Sequence, residues 1–237
     1  MQQELIIEVL QNSQLDNTSA INLNNLKLKH LNTQSENLAI VIDMVDNKKV
    51  LKDCIKKLIR YRKKLYNNIK CLKIYLLNYN QDIIIYQQFK ELIPAILSKS
   101  KENIYSKAYD LACDYLDSFF YGKNLCDFCN NRCGYRRDYD LEIGCCRHFE
   151  KHKQFGLYFG EKLVPCEYLG KDGHCTIKCL CCKLMTCEYL NKKGIRFKQN
   201  DIFPLYSTFN IFQKIYVKCI AYTPKEKLMK GIMFFDI

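Results

Sequence analysis

Eleven of the fifteen cysteines in this chain fall between residues 126 and 187. Their order is Cys126-x2-Cys129-x3-Cys133, the adjacent pair Cys145-Cys146, then Cys166 and Cys175, and finally Cys179-x-Cys181-Cys182-x4-Cys187. Thiols at this density do one of three things: they cross-link, hold metal, or carry redox chemistry. Adjacent cysteines cannot both point into one apolar core, so simple burial does not account for the pairs. A Cys-x2-Cys turn lets two sulfurs face one ion with backbone amides aimed at them, and distant ligands then complete a tetrahedron. Cys126, Cys129, Cys133 and one of Cys145 and Cys146 form one such group. Cys166, Cys175, Cys179 and Cys187, with Cys181 or Cys182 as substitutes, form a second. Spacing fixes density better than partnership, and the two groups can interleave.

Histidines add little to this set. His148 and His152 stand in CCRHFEKH as His-x3-His, but eighteen residues separate Cys129 from His148, more than a zinc finger accommodates. His148 stays a candidate ligand, and His152 is expected at the surface. The four remaining cysteines, Cys54, Cys71, Cys113 and Cys219, each stand alone in apolar or helical surroundings and are expected to be small buried side chains. Because thiolates dominate, zinc and an iron–sulfur cluster are both compatible with the donor set.

The runs CDFCNNRC, GCC and VPCEYLGKDGHCTI, with the closing cysteine group, resemble the YkgJ-type cysteine-cluster proteins, which are described as zinc- or iron-chelating. The resemblance covers about residues 126–190. It implies Cys126, Cys129, Cys133, Cys145, Cys146, Cys166 and Cys175 as ligands, and it implies a metal without implying a reaction. The long stretch between Cys133 and Cys145 and the added CLCC group depart from the family's pattern.

The elements that must position these residues fall into two kinds. Before residue 120, Leu51, Ile55, Leu58, Leu65, Ile69, Leu72 and Leu76 recur at spacings of three and four, the stripe of an amphipathic helix. This predicts a basic helix over 48–76, with further helices over 82–97 and 101–120, the last capped by Ser98 or Ser100. ELIIEVL near the start fits either a strand or a helix. From Tyr121 the apolar periodicity stops, and pieces such as FGLYFG and KLVPCEYL read as strands or turns. So few core side chains cannot order a segment of this length, and structural metal can contribute roughly 10–16 kcal/mol per site. After Ile195 the pattern is helical again. Thr223-Pro-Lys-Glu226 reads as a capping box with a last helix starting at Pro224.

The fold class expected is therefore mainly α. A helical region over 1–120 precedes an irregular, small-strand, metal-stabilised cysteine-rich domain over 121–195 and a helical extension over 196–237. No run approaches the roughly 20 apolar residues that span a bilayer, and MQQELIIEVL lacks the basic start of a secretory leader. A reducing cytoplasmic compartment is expected, where fifteen cysteines, an odd number, do not form a disulfide framework.

The net charge of +12 is uneven, because residues 48–73 hold eleven Lys or Arg against one acid, Asp53. The solvated face of a core helix is the preferred explanation, ahead of contact with nucleic acid. There is no Gly-rich phosphate loop, GxSxG or HExxH, so the sequence names no reaction. The leading expectation is a cytosolic metal-binding protein, with zinc or an iron–sulfur cluster in a structural or binding role. Its partners would be metal ions and a protein, with no membrane. The alternatives are an iron–sulfur-dependent redox or modifying enzyme, and a sequence-blind nucleic-acid-binding protein that uses the basic helix.

Overall fold

A computed structural model describes residues 4–10, 21–23, 37–123, 125, 128–129, 132–133, 147–154, 157–165, 168, 176–186 and 188–236. The chain divides into two compact units. One comprises Met1–Ala108 with Phe203–Phe209, and the other Tyr109–Ile202 with Asn210–Ile237.

The first unit is built on a parallel sheet. Its strands are β1 (Glu4–Leu10), β2 (Ile21–Asn22), β3 (Asn37–Asp43) and β4 (Cys71–Leu77), in the order β1-β4-β3-β2. Between β3 and β4 runs α1 (Lys48–Asn68), the crossover that parallel neighbours require. The run Leu38-Ala39-Ile40-Val41-Ile42 suits a strand covered on both faces, and Ile40, Val41 and Ile42 are buried. Asn47 caps α1 by accepting the amides of Lys49 at 3.0 Å and Val50 at 3.2 Å. Leu51, Ile55, Leu58 and Leu65 are buried as the stripe requires.

The helix expected over 48–76 is corrected at its end. It stops at Asn68, Ile69 is extended, and residues 71–77 form β4. Leu72 and Leu76 are four apart, a spacing shared by the helical repeat and by the two-residue repeat of a strand. Ile74 between them is also buried while Lys73 is exposed, so the period is two. The region before residue 108 is thus α/β rather than all helical, although helices predominate among the described residues.

One helix and the start of another complete the framework of this half. α2 (Ile84–Ile96) and α3 (Lys101–Gly122) fall where the periodicity placed them, and the Ser100 hydroxyl accepts the Glu102 amide at 3.1 Å at the start of α3. From Tyr109 onward α3 belongs to the second unit. Phe203, in the first unit, packs on Phe89 with ring centroids 6.4 Å apart.

In the second unit, β5 (Phe128–Cys129) pairs antiparallel with β6 (Arg132–Cys133), and β7 (Arg147–Gln154) with β8 (Leu157–Pro165). Short helices follow: α4 (Leu180–Leu184), α5 (Glu188–Lys192), α6 (Phe203–Thr208, which belongs to the first unit), α7 (Ile211–Cys219) and α8 (Lys225–Phe234). The last start is also corrected. Pro224 is the N-cap and Lys225 the first helical residue, and the Thr223 hydroxyl donates to the Ala221 carbonyl at 3.0 Å, so the expected capping box does not form. Buried Tyr109, Ala112, Leu116, Leu180, Val217, Leu228 and Ile232 supply apolar packing in this unit. No helix among the described residues is long and apolar enough to cross a membrane.

Candidate thiol site

Cys179 sits in a turn that α3 holds from one side. Lys178 adopts a left-handed φ of 48°, which costs a non-glycine residue about 1–2 kcal/mol and bends the chain just before the thiol. The Tyr109 hydroxyl donates to the Lys178 carbonyl at 2.8 Å and accepts the Leu180 amide at 2.9 Å, so it brackets Cys179. The Cys113 thiol also donates to the Lys178 carbonyl, at 3.3 Å.

Charge holds the same turn. Asp110, Asp114 and Asp117 lie at i, i+4 and i+7, on one face of α3. Asp114 pairs with Lys178 at 2.8 Å, Asp117 with Lys183, and Asp110 with Lys225 at 2.6 Å. The hydrogen bond from Lys178 to Asp114 raises the pKa of its ammonium.

Three cysteines occupy the turn and the helix it opens. Cys179 is the N-cap of α4 and is 1% exposed. The Cys179 thiol faces the Ile220 carbonyl at 3.9 Å, and the Cys182 thiol, followed by the nearby amides of Cys182, Thr223 and Tyr222, favours its ionised form. These donors outweigh burial and hold Cys179 well below the usual thiol range. The neighbouring Cys179 thiol, then burial, pushes Cys182 in the opposite direction. Tyr222 brings its amide there with a second left-handed backbone, φ 53°, and that amide lies 3.4 Å from the Cys182 sulfur. Cys181 turns the other way, donating to the Lys218 carbonyl at 3.0 Å, and burial raises its pKa to about 11. Adjacent Cys181 and Cys182 thus point apart, and Cys182 is the one that faces Cys179.

The remaining predicted ligands are distributed as follows. Cys129 and Cys133 lie on the β5–β6 ribbon, where Phe128 is opposite Cys133 and Cys129 is opposite Arg132. His148 and His152 are on β7, with His148 opposite Val164. Cys126, Cys145, Cys146, Cys166, Cys175 and Cys187 lie outside the described residues. Among the described residues no group of three or more His, Cys, Asp or Glu side chains is gathered for a metal ion. Of the four lone cysteines, Cys54 and Cys113 are buried as expected, while Cys71 is half-buried and Cys219 is exposed. Cys219 is the last residue of α7, whose inward positions are Gln213 and Val217, and it falls off that face.

The amides of Tyr222 and Thr223 carried no signal in the sequence, since backbone donors have no residue type. The spacing of Asp110, Asp114 and Asp117 was visible, but its lysine partners lie about 64 to 115 positions away. No protein-family model matches the chain, and the comparisons find no similar curated protein or solved structure.

Proposed function

We propose that this chain binds a thiophilic metal, as zinc or an iron–sulfur cluster, with Cys179 and Cys182 as two of the ligands. One observation carries this reading: the buried Cys179 and the Cys182 thiol stand side by side in one turn, with the Tyr222 amide 3.4 Å from the Cys182 sulfur. Such donors stabilise a thiolate, the form in which cysteine binds metal, and they remain useful once the Cys182 proton is displaced. The Cys-x2-Cys spacing puts both sulfurs in one tight turn. The cysteines at 166, 175 and 187 are the candidates to complete the shell. Cys181 is left out, because its thiol is committed to the Lys218 carbonyl. Bound metal would supply the order that sparse apolar side chains do not supply in the cysteine-rich segment, and the role is structural or binding.

The test is metal content and absorption spectrum of protein purified without oxygen, for wild type and for Cys179→Ser, Cys181→Ser and Cys182→Ser. Wild type should carry metal, visible absorption marking a cluster and its absence alongside bound zinc marking a zinc site. Cys179→Ser and Cys182→Ser should each lose most of the metal, and Cys181→Ser should retain it. Full retention in the first two variants would remove this pair from the ligand set.

A further inference from the structure

We propose that the outward face of α1 binds the phosphate backbone of a nucleic-acid duplex. The sequence alone favoured a solvated face, because it could not separate bases committed to the fold from bases left over. The structure separates them. Lys52 and Lys48 lie over the Tyr206 ring, 3.8 Å and 5.1 Å from its centroid. Lys57 donates to the Leu23 carbonyl at 2.9 Å, and Arg62, 7% exposed, donates to the Lys99 carbonyl at 3.4 Å.

Lys49, Lys56, Arg60, Lys63 and Lys64 stay exposed. At 3.6 residues per turn these five fall within an arc of about 100°, and from 49 to 64 they extend for about 22 Å. Asp53 is the acid among them. A net positive charge over that length, five bases against one acid, matches duplex nucleic acid, which carries one phosphate per roughly 1.7 Å of axis.

The composition of the arc selects among polyanions. A membrane-surface helix needs apolar anchors beside its lysines, and a single-strand binder needs aromatic platforms. The described residues of this arc, Asp53 and Asn67 besides the five bases, supply neither. One arginine among four lysines gives little capacity for bidentate base contact, so binding should be blind to sequence.

The experiment measures anisotropy of a fluorescent mixed-sequence duplex of about 20 base pairs with the whole protein across a salt series. Five phosphate contacts predict a log–log slope of about −4 to −5, at 0.9 per contact. Lys56→Gln, Arg60→Gln and Lys63→Gln combined should flatten it by about 3. Arg196→Gln, Lys227→Gln and Lys230→Gln remove the same charge from the second unit and should change it by less than about 1. The idea is overturned by absence of duplex binding at low salt or by equal effects of the two triple variants. It is equally overturned by tighter binding to a single strand or to phosphatidylserine vesicles than to the duplex.

Discussion

The Tyr109 hydroxyl and the Leu180 amide form a 2.9 Å hydrogen bond between two fully buried residues. Through it, one side chain of α3 fixes the backbone on the C-terminal side of Cys179. Tyr109→Phe should leave the Leu180 N–H without this acceptor, while the Cys113 thiol still serves the Lys178 carbonyl. A buried unsatisfied amide costs about 1–3 kcal/mol. Chemical denaturation should show that loss, and the Cys179 and Cys182 thiols should react faster with an alkylating reagent in metal-stripped protein. Unchanged stability would mean that water replaces the hydroxyl.

What could be read from the sequence, and what could not, follows from the range of each interaction. Ser100 as a cap and Leu51, Ile55 and Leu58 as a buried stripe are local patterns, and the structure contains both. Leu72 and Leu76 were misread because a four-residue spacing fits two periods, and only pairing with β1 and β3 decides between them. Density of thiols located the candidate site, and the stereochemistry of neighbours predicted that one of Cys181 and Cys182 would turn away. Choosing Cys182 as the partner of Cys179 required the loop at Tyr222, forty positions later. Nothing local encodes that approach.

The two ion pairs flanking α4 should differ in strength. The Lys183 side chain is only 8% exposed and its partner Asp117 28%, whereas Lys178 and Asp114 are about half exposed. Asp117→Ala strands a buried ammonium and should cost about 3 kcal/mol. Asp114→Ala should cost roughly 0–1 kcal/mol, since solvent screens that pair. Denaturant midpoints of the two variants give the comparison, and equal losses would contradict the difference in burial.

Gly231 in α8 faces the Tyr216 ring so closely that a methyl group there would overlap it. Phe235 limits the ring's retreat on one side, its own ring tilted against that of Tyr216 with centroids 5.5 Å apart. Gly231→Ala should destabilise by about 1–3 kcal/mol from overpacking, less the roughly 1 kcal/mol that alanine contributes in a helix interior. With Tyr216→Ala in place, the same change should become neutral or stabilising. Additive effects across this double-mutant cycle would show that the ring moves aside freely.

Cys54, 1% exposed on α1, gives the first unit a dependence on alkaline pH. Burial pushes its thiol from 9.0 up to about 11, with Lys57 opposing and Asp53 adding to the rise. The folded state therefore favours the neutral thiol, while the unfolded chain ionises from about pH 9. A raised folded pKa contributes stability that is complete below the unfolded value and is lost as pH rises through the folded value. Between pH 8 and pH 11 wild type should lose about 2 kcal/mol more than Cys54→Ala, in which that titration is absent. Urea denaturation of both proteins at pH 8 and pH 11 isolates the thiol, because the titrating lysines and tyrosines are common to the pair. A difference between the two proteins that stays constant with pH would mean that Cys54 ionises as readily folded as unfolded.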